Sequence, residues 1–318
     1  MNKQFAIAIH GGAGTILKSK MTPEREARIR ETLTESLRVG FAILEKGGCS
    51  IDAVQKAVNV MEDSPLFNAG KGAVFTHDGK NEQDATVVDG FTGSAGAVAS
   101  VRRAARPIDL ARLVMDNSAH VLLIGDGAEE FAVSQGMKLV DDKYFFTEQR
   151  WEQLQNALAK ENQRGPNDNK SDSSLPLSED DKHGTVGAVA LDRQRRLAAA
   201  TSSGGMTNKR FGRVGDSALV GAGTFADDLC AVSTTGHGEY FMRGVVAYDV
   251  AALMRYRGMS LAQAADTAVK TKLTDVGGTG GLIAIDKDGN IALPFNTEGM
   301  YRGYLLPAGE PVVEIFRE

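Results

Sequence analysis

The sequence predicts an α+β fold arranged as an αββα sandwich, with two sheets inside and helices outside. The prediction rests on what each half of the chain supplies. Both halves contain short alternating apolar segments that read as hairpin strands, and both add helices with an apolar stripe on one face. No repeat of fixed period appears, and 318 residues are enough for one large core or two small ones. With hairpin strands and flanking helices supplied by each half, the chain reads as one layered domain and not two independent lobes.

In chain order, residues 5–10 read as a buried strand ending in the loop His10-Gly11-Gly12-Ala13-Gly14. A helix follows over residues 22–45, with Thr22 as cap, Pro23 in the first turn and an apolar stripe of Ile29, Leu33, Leu37 and Leu44. Gly47-Gly48 ends it. Ser50 is expected to cap a second helix carrying Ile51, Val54, Ala57, Val58 and Met61, stopped by Pro65 before a tight glycine-flanked loop over residues 66–72. Residues 84–88 and 95–101 form a hairpin, Pro107 opens a helix with Leu110, Leu113 and Val114, and residues 121–124 make a short strand. Helices over 127–135 and around Trp151 complete the first half.

Residues 161–183 then break the pattern, with only two leucines among Gly, Pro, Asn, Asp and Ser. Such a segment buries too little apolar surface to offset the entropy of ordering, so it is expected to be mobile. Its composition suits equally a surface linker between two domains.

The second half opens with strands at 185–192 and 197–201, joined by the turn Arg193-Gln194-Arg195-Arg196. In the first of these, Val186, Ala188 and Ala190 face one way, and Val189 and Leu191 the other. Further strands are expected near Val220 and over 231–234, then helices over 239–256 and 260–272. A closing hairpin, 281–286 with 291–295, turns at Asp288-Gly289.

The net charge of −5, with both signs mixed along the chain, argues against nucleic acid or a membrane surface as partner. Two cysteines, Cys49 and Cys230, give neither a disulfide framework nor a CxxC site. Five histidines without an HExxH pattern give no expectation of zinc. The apolar run 5–9 is too short for a signal core, so a reducing cytoplasm is the expected location.

Three stretches can carry chemistry. Thr185 starts a core strand directly behind Gly184 and the polar segment. If the chain is cut at Gly184-Thr185, the freed α-amine, with a reference pKa of about 7.7–8.0, supplies the base that a threonine hydroxyl needs. Taken alone, Thr185 reads first as a β-branched residue that merely opens a strand. In Gly212-Arg213-Val214-Gly215-Asp216, Arg213 can grip a carboxylate and Asp216 an ammonium, which suits a zwitterion; a surface ion pair is the other reading. In Ser233-Thr234-Thr235-Gly236-His237-Gly238-Glu239, Thr235 and Gly236 can face a developing oxyanion, or simply make a strand-to-helix turn. His237 is not needed as a base if Thr185 brings its own amine. Gly277-Gly278-Thr279-Gly280-Gly281 precedes a strand, which speaks against a phosphate cradle.

Together these stretches resemble the plant-type asparaginase and isoaspartyl peptidase family of N-terminal-nucleophile hydrolases. The resemblance is carried by His10-Gly11-Gly12-Ala13-Gly14, Pro65-Leu66-Phe67-Asn68-Ala69-Gly70, and residues 184–192, 212–217, 235–239 and 277–286, and it extends from the first strand to about Tyr301. It implies autoproteolysis into an α subunit, Met1 to Gly184, and a β subunit, Thr185 to Glu318, paired as a dimer of heterodimers. It implies Thr185 as nucleophile, Thr235 and Gly236 as oxyanion residues, Arg213, Asp216, Gly236 and Gly238 as substrate clamp, and Asn68 near the nucleophile. The family's next threonine falls at Ser203, which keeps the hydroxyl and lacks the methyl that restricts its rotamer. No catalytic cofactor is implied. A structural sodium is, held by main-chain carbonyls in the loop from Met61 through Glu62, Ser64, Phe67 and Ala69 to Lys71. The implied substrates are L-asparagine and β-aspartyl dipeptides, releasing L-aspartate. A glycosylasparaginase-type amidase and a non-catalytic amino-acid binder are the alternatives.

Overall fold

Strands β1 (Ala6–Gly14) and β5 (Val186–Leu191), from opposite halves of the chain, pair antiparallel in the interior of a large sheet, with Ile9 opposite Ala188 and His10 opposite Gly187. The structure is a computed structural model that describes residues 5–162 and 184–317. Beyond β5 lie β6 (Leu197–Ser203), β2 (Gln83–Asp89), β3 (Ala95–Val101) and β4 (Leu122–Ile124); beyond β1 lie β11 (Gly299–Leu305) and β12 (Val312–Phe316). Among the described residues these make an eight-stranded sheet, β12-β11-β1-β5-β6-β2-β3-β4, antiparallel except for β3 with β4. A second sheet of four strands runs β10 (Ile291–Ala292), β9 (Gly280–Asp286), β8 (Cys230–Gly236), β7 (Thr224–Ala226).

Three apolar layers hold these sheets, and strand alternation decides which residue enters which layer. Val186, Ala188 and Ala190 pack with Ile29, Leu33 and Leu37 of helix α1 (Pro23–Glu45) and with Val54 and Val58 of α2 (Ser50–Glu62). Helix α3 (Pro107–Asn117) adds Ile108, Leu110 and Val114 to the same layer. The alternate residues, Val189 and Leu191, face inward and meet Ala231, Ile283 and Ile285 between the sheets. On the far face of the small sheet, Val232 and Leu282 pack under α6 (Gly238–Gly244), α7 (Val246–Arg257) and α8 (Leu261–Asp266), which continues as a π-helical segment, Thr267–Leu273. The order is helix, sheet, sheet, helix, as expected. Helices α4 (Gly125–Ser134) and α5 (Glu148–Asn162) flank the first half.

Local chemistry explains the helix ends. The Thr22 hydroxyl accepts from the Arg25 amide at 3.2 Å and caps α1. Ser50 does not cap α2: Cys49 holds the cap position, and the Ser50 amide donates to the buried Asp192 carboxylate at 3.1 Å. A side chain from the distant turn after β5 thus satisfies that helix end, which no local pattern reveals.

Other expectations need correction. The glycines after His10 continue β1 instead of leaving it, because β11 lies alongside and a bulge between His10 and Gly12 absorbs the irregularity. Val220 makes only an isolated bridge to Thr224. The helix expected over 239–256 breaks at Val245, whose φ of 46° is left-handed, an unusual setting for a β-branched residue. The short strand expected over residues 121–124 is present as β4, at the edge of the large sheet with Val121 and Ile124 exposed. The polar segment expected to be mobile lies outside the described residues from 163 to 183.

Ile283 is fully buried between the sheets. Ile283→Ala should destabilise the protein by about 2–5 kcal/mol, seen as a lower denaturant midpoint, whereas Val121→Ala on the exposed edge should stay within about 0.5 kcal/mol.

Candidate active site

The chain enters β5 through Gly184, whose φ of 139° suits glycine alone. A Cβ there would also overlap Asn68, whose main-chain N–H donates to the Gly184 carbonyl at 2.9 Å. Asn68 is buried and bonded at every polar group. Its side-chain amide donates to the Gly205 carbonyl at 2.7 Å and accepts from the Val74 amide at 2.9 Å, and its carbonyl accepts from the Gly204 amide at 2.8 Å. The loop after α2 is therefore locked to the end of β6.

Immediately after this anchor, Thr185 Oγ1 lies 3.0 Å from Ser203 Oγ. Ser203 also accepts the Gly205 amide at 3.0 Å, so its own proton is left to share with Thr185. The Thr185 carbonyl accepts from His10 Nδ1 at 3.0 Å, and His10 is completely buried. Burial pushes the imidazole pKa down to about 3, outweighing that hydrogen bond, so His10 is neutral.

A second cluster gathers around Gly238. Arg213 donates Nε and Nη2 to Glu239 at 2.9 and 3.0 Å, and His237 Nε2 lies 3.1 Å from the same carboxylate. Burial opposes ionisation of Glu239, but hydrogen bonds from His237 and Arg213 and the guanidinium charge hold its carboxyl well below the usual range. Asp216 is buried and accepts the Thr234 hydroxyl at 2.8 Å. There burial wins over that bond and over the nearby Arg213 charge, pushing the carboxyl pKa up to about 6. A Cβ on Gly238 would sit 2.7 Å from Asp216 Oδ1 and 2.8 Å from Arg213 Nη2, so the bare backbone is what lets a cation and an anion approach the same point. Gly205 joins the clusters: its amide is on Ser203, and Arg213 Nη1 is 3.4 Å from where its Cβ would be.

On β8 the hydroxyl run is sorted by alternation. Ser233 and Thr235 face β1, meeting His10 Nε2 at 2.8 Å and the Ala13 amide at 3.2 Å, while Thr234 turns the other way to Asp216. In the loop after α2, a Cβ at Gly70 would overlap the Glu62 carbonyl, and one at Gly72 the carbonyls of Phe67 and Pro65. These contacts pack the loop backbone closely against its own carbonyl oxygens. Among the described residues no group of three or more His, Cys, Asp or Glu side chains could hold a metal.

A sequence model of the asparaginase family matches residues 3–313. The chain belongs to that family. Its sandwich is accordingly the N-terminal-nucleophile hydrolase fold. Isoaspartyl peptidase of Salmonella typhimurium is 52% identical over 319 residues, covering 100% of both chains. Isoaspartyl peptidase of Escherichia coli is 53% identical over 313 residues, 98% of this chain and 96% of that protein. A probable isoaspartyl peptidase/L-asparaginase 2 of Arabidopsis thaliana is 39% identical, covering 94% of this chain and 95% of that one.

In this asparaginase-family chain, Gly184, Thr185, Ser203 and Asn68 form one contact set, and Arg213, Asp216 and Gly238 another. Thr235 accepts the amide of Ala13, next to Gly12, whose backbone packs on Gly184, and Gly236 follows Thr235 as the last residue of β8. Sequence reasoning assigned no role to His10, Ser233, Thr234 or Glu239. The period-two alternation of the hydroxyl run was the available signal for Ser233 and Thr234. Glu239 reaches Arg213 from 26 positions away, a separation that no local rule covers.

Gly238→Ala should push Arg213 and Asp216 apart and raise the substrate KM at least about tenfold, about 1.4 kcal/mol of lost binding, with far-UV circular dichroism unchanged. Steady-state kinetics on the purified variant check this.

Proposed function

We propose that Thr185, freed by cleavage of the Gly184-Thr185 bond, is the nucleophile for β-aspartyl dipeptides and for the side-chain amide of L-asparagine. The observation that carries this reading is the placement of the Thr185 hydroxyl 3.0 Å from Ser203, directly after a carbonyl held by the Asn68 amide. The relatives named isoaspartyl peptidase, above half identical along nearly the whole chain, support the same reaction class.

In the maturation step, Thr185 Oγ1 adds to the Gly184 carbonyl carbon. The Asn68 N–H already donates to the oxygen on which charge develops. The C–N bond breaks, the nitrogen takes the proton that Oγ1 gave up and becomes the α-amine of Thr185, and water hydrolyses the resulting ester. In turnover that amine takes the hydroxyl proton as Oγ1 adds to the substrate's β-carbonyl. The proton passes to the departing nitrogen, ammonia or an amino acid leaves, and water releases L-aspartate from the acyl-enzyme. Thr235 suits the oxyanion role because its oxygen already accepts from Ala13, leaving its own proton to donate. Gly236 is its main-chain companion.

The substrate's free α-groups would lie at Gly238, the carboxylate on Arg213 and the ammonium on Asp216. Arg213 is engaged by Glu239 in this structure, so a substrate carboxylate must displace or share that bond. With both α-groups held, the β-linked bond is the one presented to Thr185. The reading also includes a sodium ion held by carbonyls of the loop from Met61 through Glu62, Ser64, Phe67 and Ala69 to Lys71, supported by the oxygens packed against Gly70 and Gly72. It includes a dimer of heterodimers with subunits 1–184 and 185–318. A cytoplasmic location is supported by unpaired Cys49 and Cys230; among the described residues no helix is long and apolar enough to cross a membrane.

Two outcomes are expected. Denaturing gels of the purified protein should show two bands, the lighter beginning at Thr185, while Thr185→Ala gives one uncut, inactive chain; turnover by an intact chain would sink the mechanism. The pH profile should carry the Asp216 titration. Its raised pKa makes the carboxylate protonate as pH falls through about 6, so the KM for β-aspartyl-leucine should climb below that pH and level off above it.

A further inference from the structure

His10 is completely buried, titratable and unused by the chemistry above, yet it touches the main chain of Thr185. Its tautomer follows from its partners. The Thr185 carbonyl can only accept, so Nδ1 carries the proton, and in a neutral ring Nε2 is then bare. Ser233, 2.8 Å from Nε2, must donate to it. Having given its proton away, Ser233 accepts the hydroxyl of Thr201 at 2.7 Å, and Thr201 accepts that of Thr224 at 2.6 Å. The Gly223 carbonyl, 3.3 Å from Thr201, is a longer contact. Every proton in the series points the same way, from β7 through β6, β8 and β1 to the residue at the head of β5.

The backbone is shaped around this series. Gly187 lies opposite His10 in the β1–β5 register, and a Cβ there would overlap both Ser233 Oγ and His10 Nε2. The four side chains from His10 to Thr224 are all buried.

We propose that His10, locked as the Nδ1–H tautomer by Ser233, Thr201 and Thr224, is a positioning residue that fixes the carbonyl of Thr185 and with it the aim of the nucleophile. Once the Gly184-Thr185 bond is cut, Thr185 loses its covalent anchor on one side. Its hydroxyl is then held by Ser203 and its carbonyl by His10. Holding the carbonyl stops rotation about ψ, which would swing both the amine and the hydroxyl off the substrate. A misplacement of about 1 Å costs roughly 100-fold in rate. The clamp at Arg213 and Asp216 is built from other residues, so the effect falls on kcat and leaves KM alone.

The inference rests on Thr185 as nucleophile, and Thr185→Ala separates the two. If that variant still turns over, the nucleophile reading fails; if it is inert while His10→Leu works at the parent rate, only the present inference fails. With β-aspartyl-leucine, His10→Leu should lower kcat by roughly 30-fold or more with KM within about threefold, and His10→Asn, which returns an N–H donor near the Nδ1 position, should recover about tenfold of the loss. A kcat for His10→Leu within threefold of the parent, or equal losses in the Leu and Asn variants, overturns the proposal. Should His10→Leu fail to mature, two further measurements decide. Ser233→Ala should lower kcat at least about fivefold at constant KM, because Nε2 loses the donor that fixes the tautomer; an unchanged kcat counts against the proposal. Nitrogen-15 NMR of the parent should show His10 with a protonated Nδ1 and a bare Nε2, unchanged from about pH 5 to 8. An Nε2–H tautomer, or a titration near the ordinary histidine value, overturns it.

Discussion

The amide of Asn68 holding the carbonyl of Gly184 is the contact on which the candidate site depends. It fixes a peptide group that no residue but glycine could supply in this conformation, and it does so from a residue tied by three further hydrogen bonds to Val74, Gly204 and Gly205. Placing Gly184 places Thr185, and placing Thr185 brings its hydroxyl to Ser203 and its carbonyl to His10. A loop that sequence alone describes as glycine-flanked and tight is therefore what sets the geometry at the start of β5.

Charge is treated differently in the two clusters. Around Thr185 the partners are hydroxyls, amides and a neutral imidazole, so nothing nearby competes for the role of base. Around Gly238 the partners are ions, and their ionisation is pulled in opposite directions. Glu239 is kept charged by Arg213 and His237, whereas burial leaves Asp216 with a raised pKa. The arginine is thus neutralised within the protein, while Asp216 has only the Thr234 hydroxyl against it as a direct side-chain partner in the described contacts.

Much of this was legible in the sequence for a physical reason: alternation and helix periodicity are local. The faces of β5, the stripe of α1 and the layer order all follow from residues a few positions apart. What escaped depends on distant partners. The continuation of β1 through its glycines needs β11, two hundred and more residues later. The strands β11 and β12 went unread although Pro307-Ala308-Gly309-Glu310-Pro311 marks the turn between them. The start of α2 depends on Asp192, and the break at Val245 is a backbone strain that helix propensity does not encode. At the site, the types and positions of Thr185, Arg213 and Asp216 suggested the roles proposed for them. His10 looked like part of a glycine loop, because its meaning comes from two strands that cross it.

The strand order of the large sheet interleaves the two halves of the chain. Reading across it, β12 and β11 come from after Thr185, β1 from before, β5 and β6 from after, and β2, β3 and β4 from before. Neither portion owns the large sheet, whereas the four-stranded sheet comes wholly from after Thr185. The proposed cleavage after residue 184 would leave two polypeptides dovetailed strand by strand across that large sheet. It would also remove the tether that makes their first meeting intramolecular. A molecule so cut would assemble readily once, as a single chain, and its folded form would afterwards be guarded more by the slowness of coming undone than by the ease of being remade.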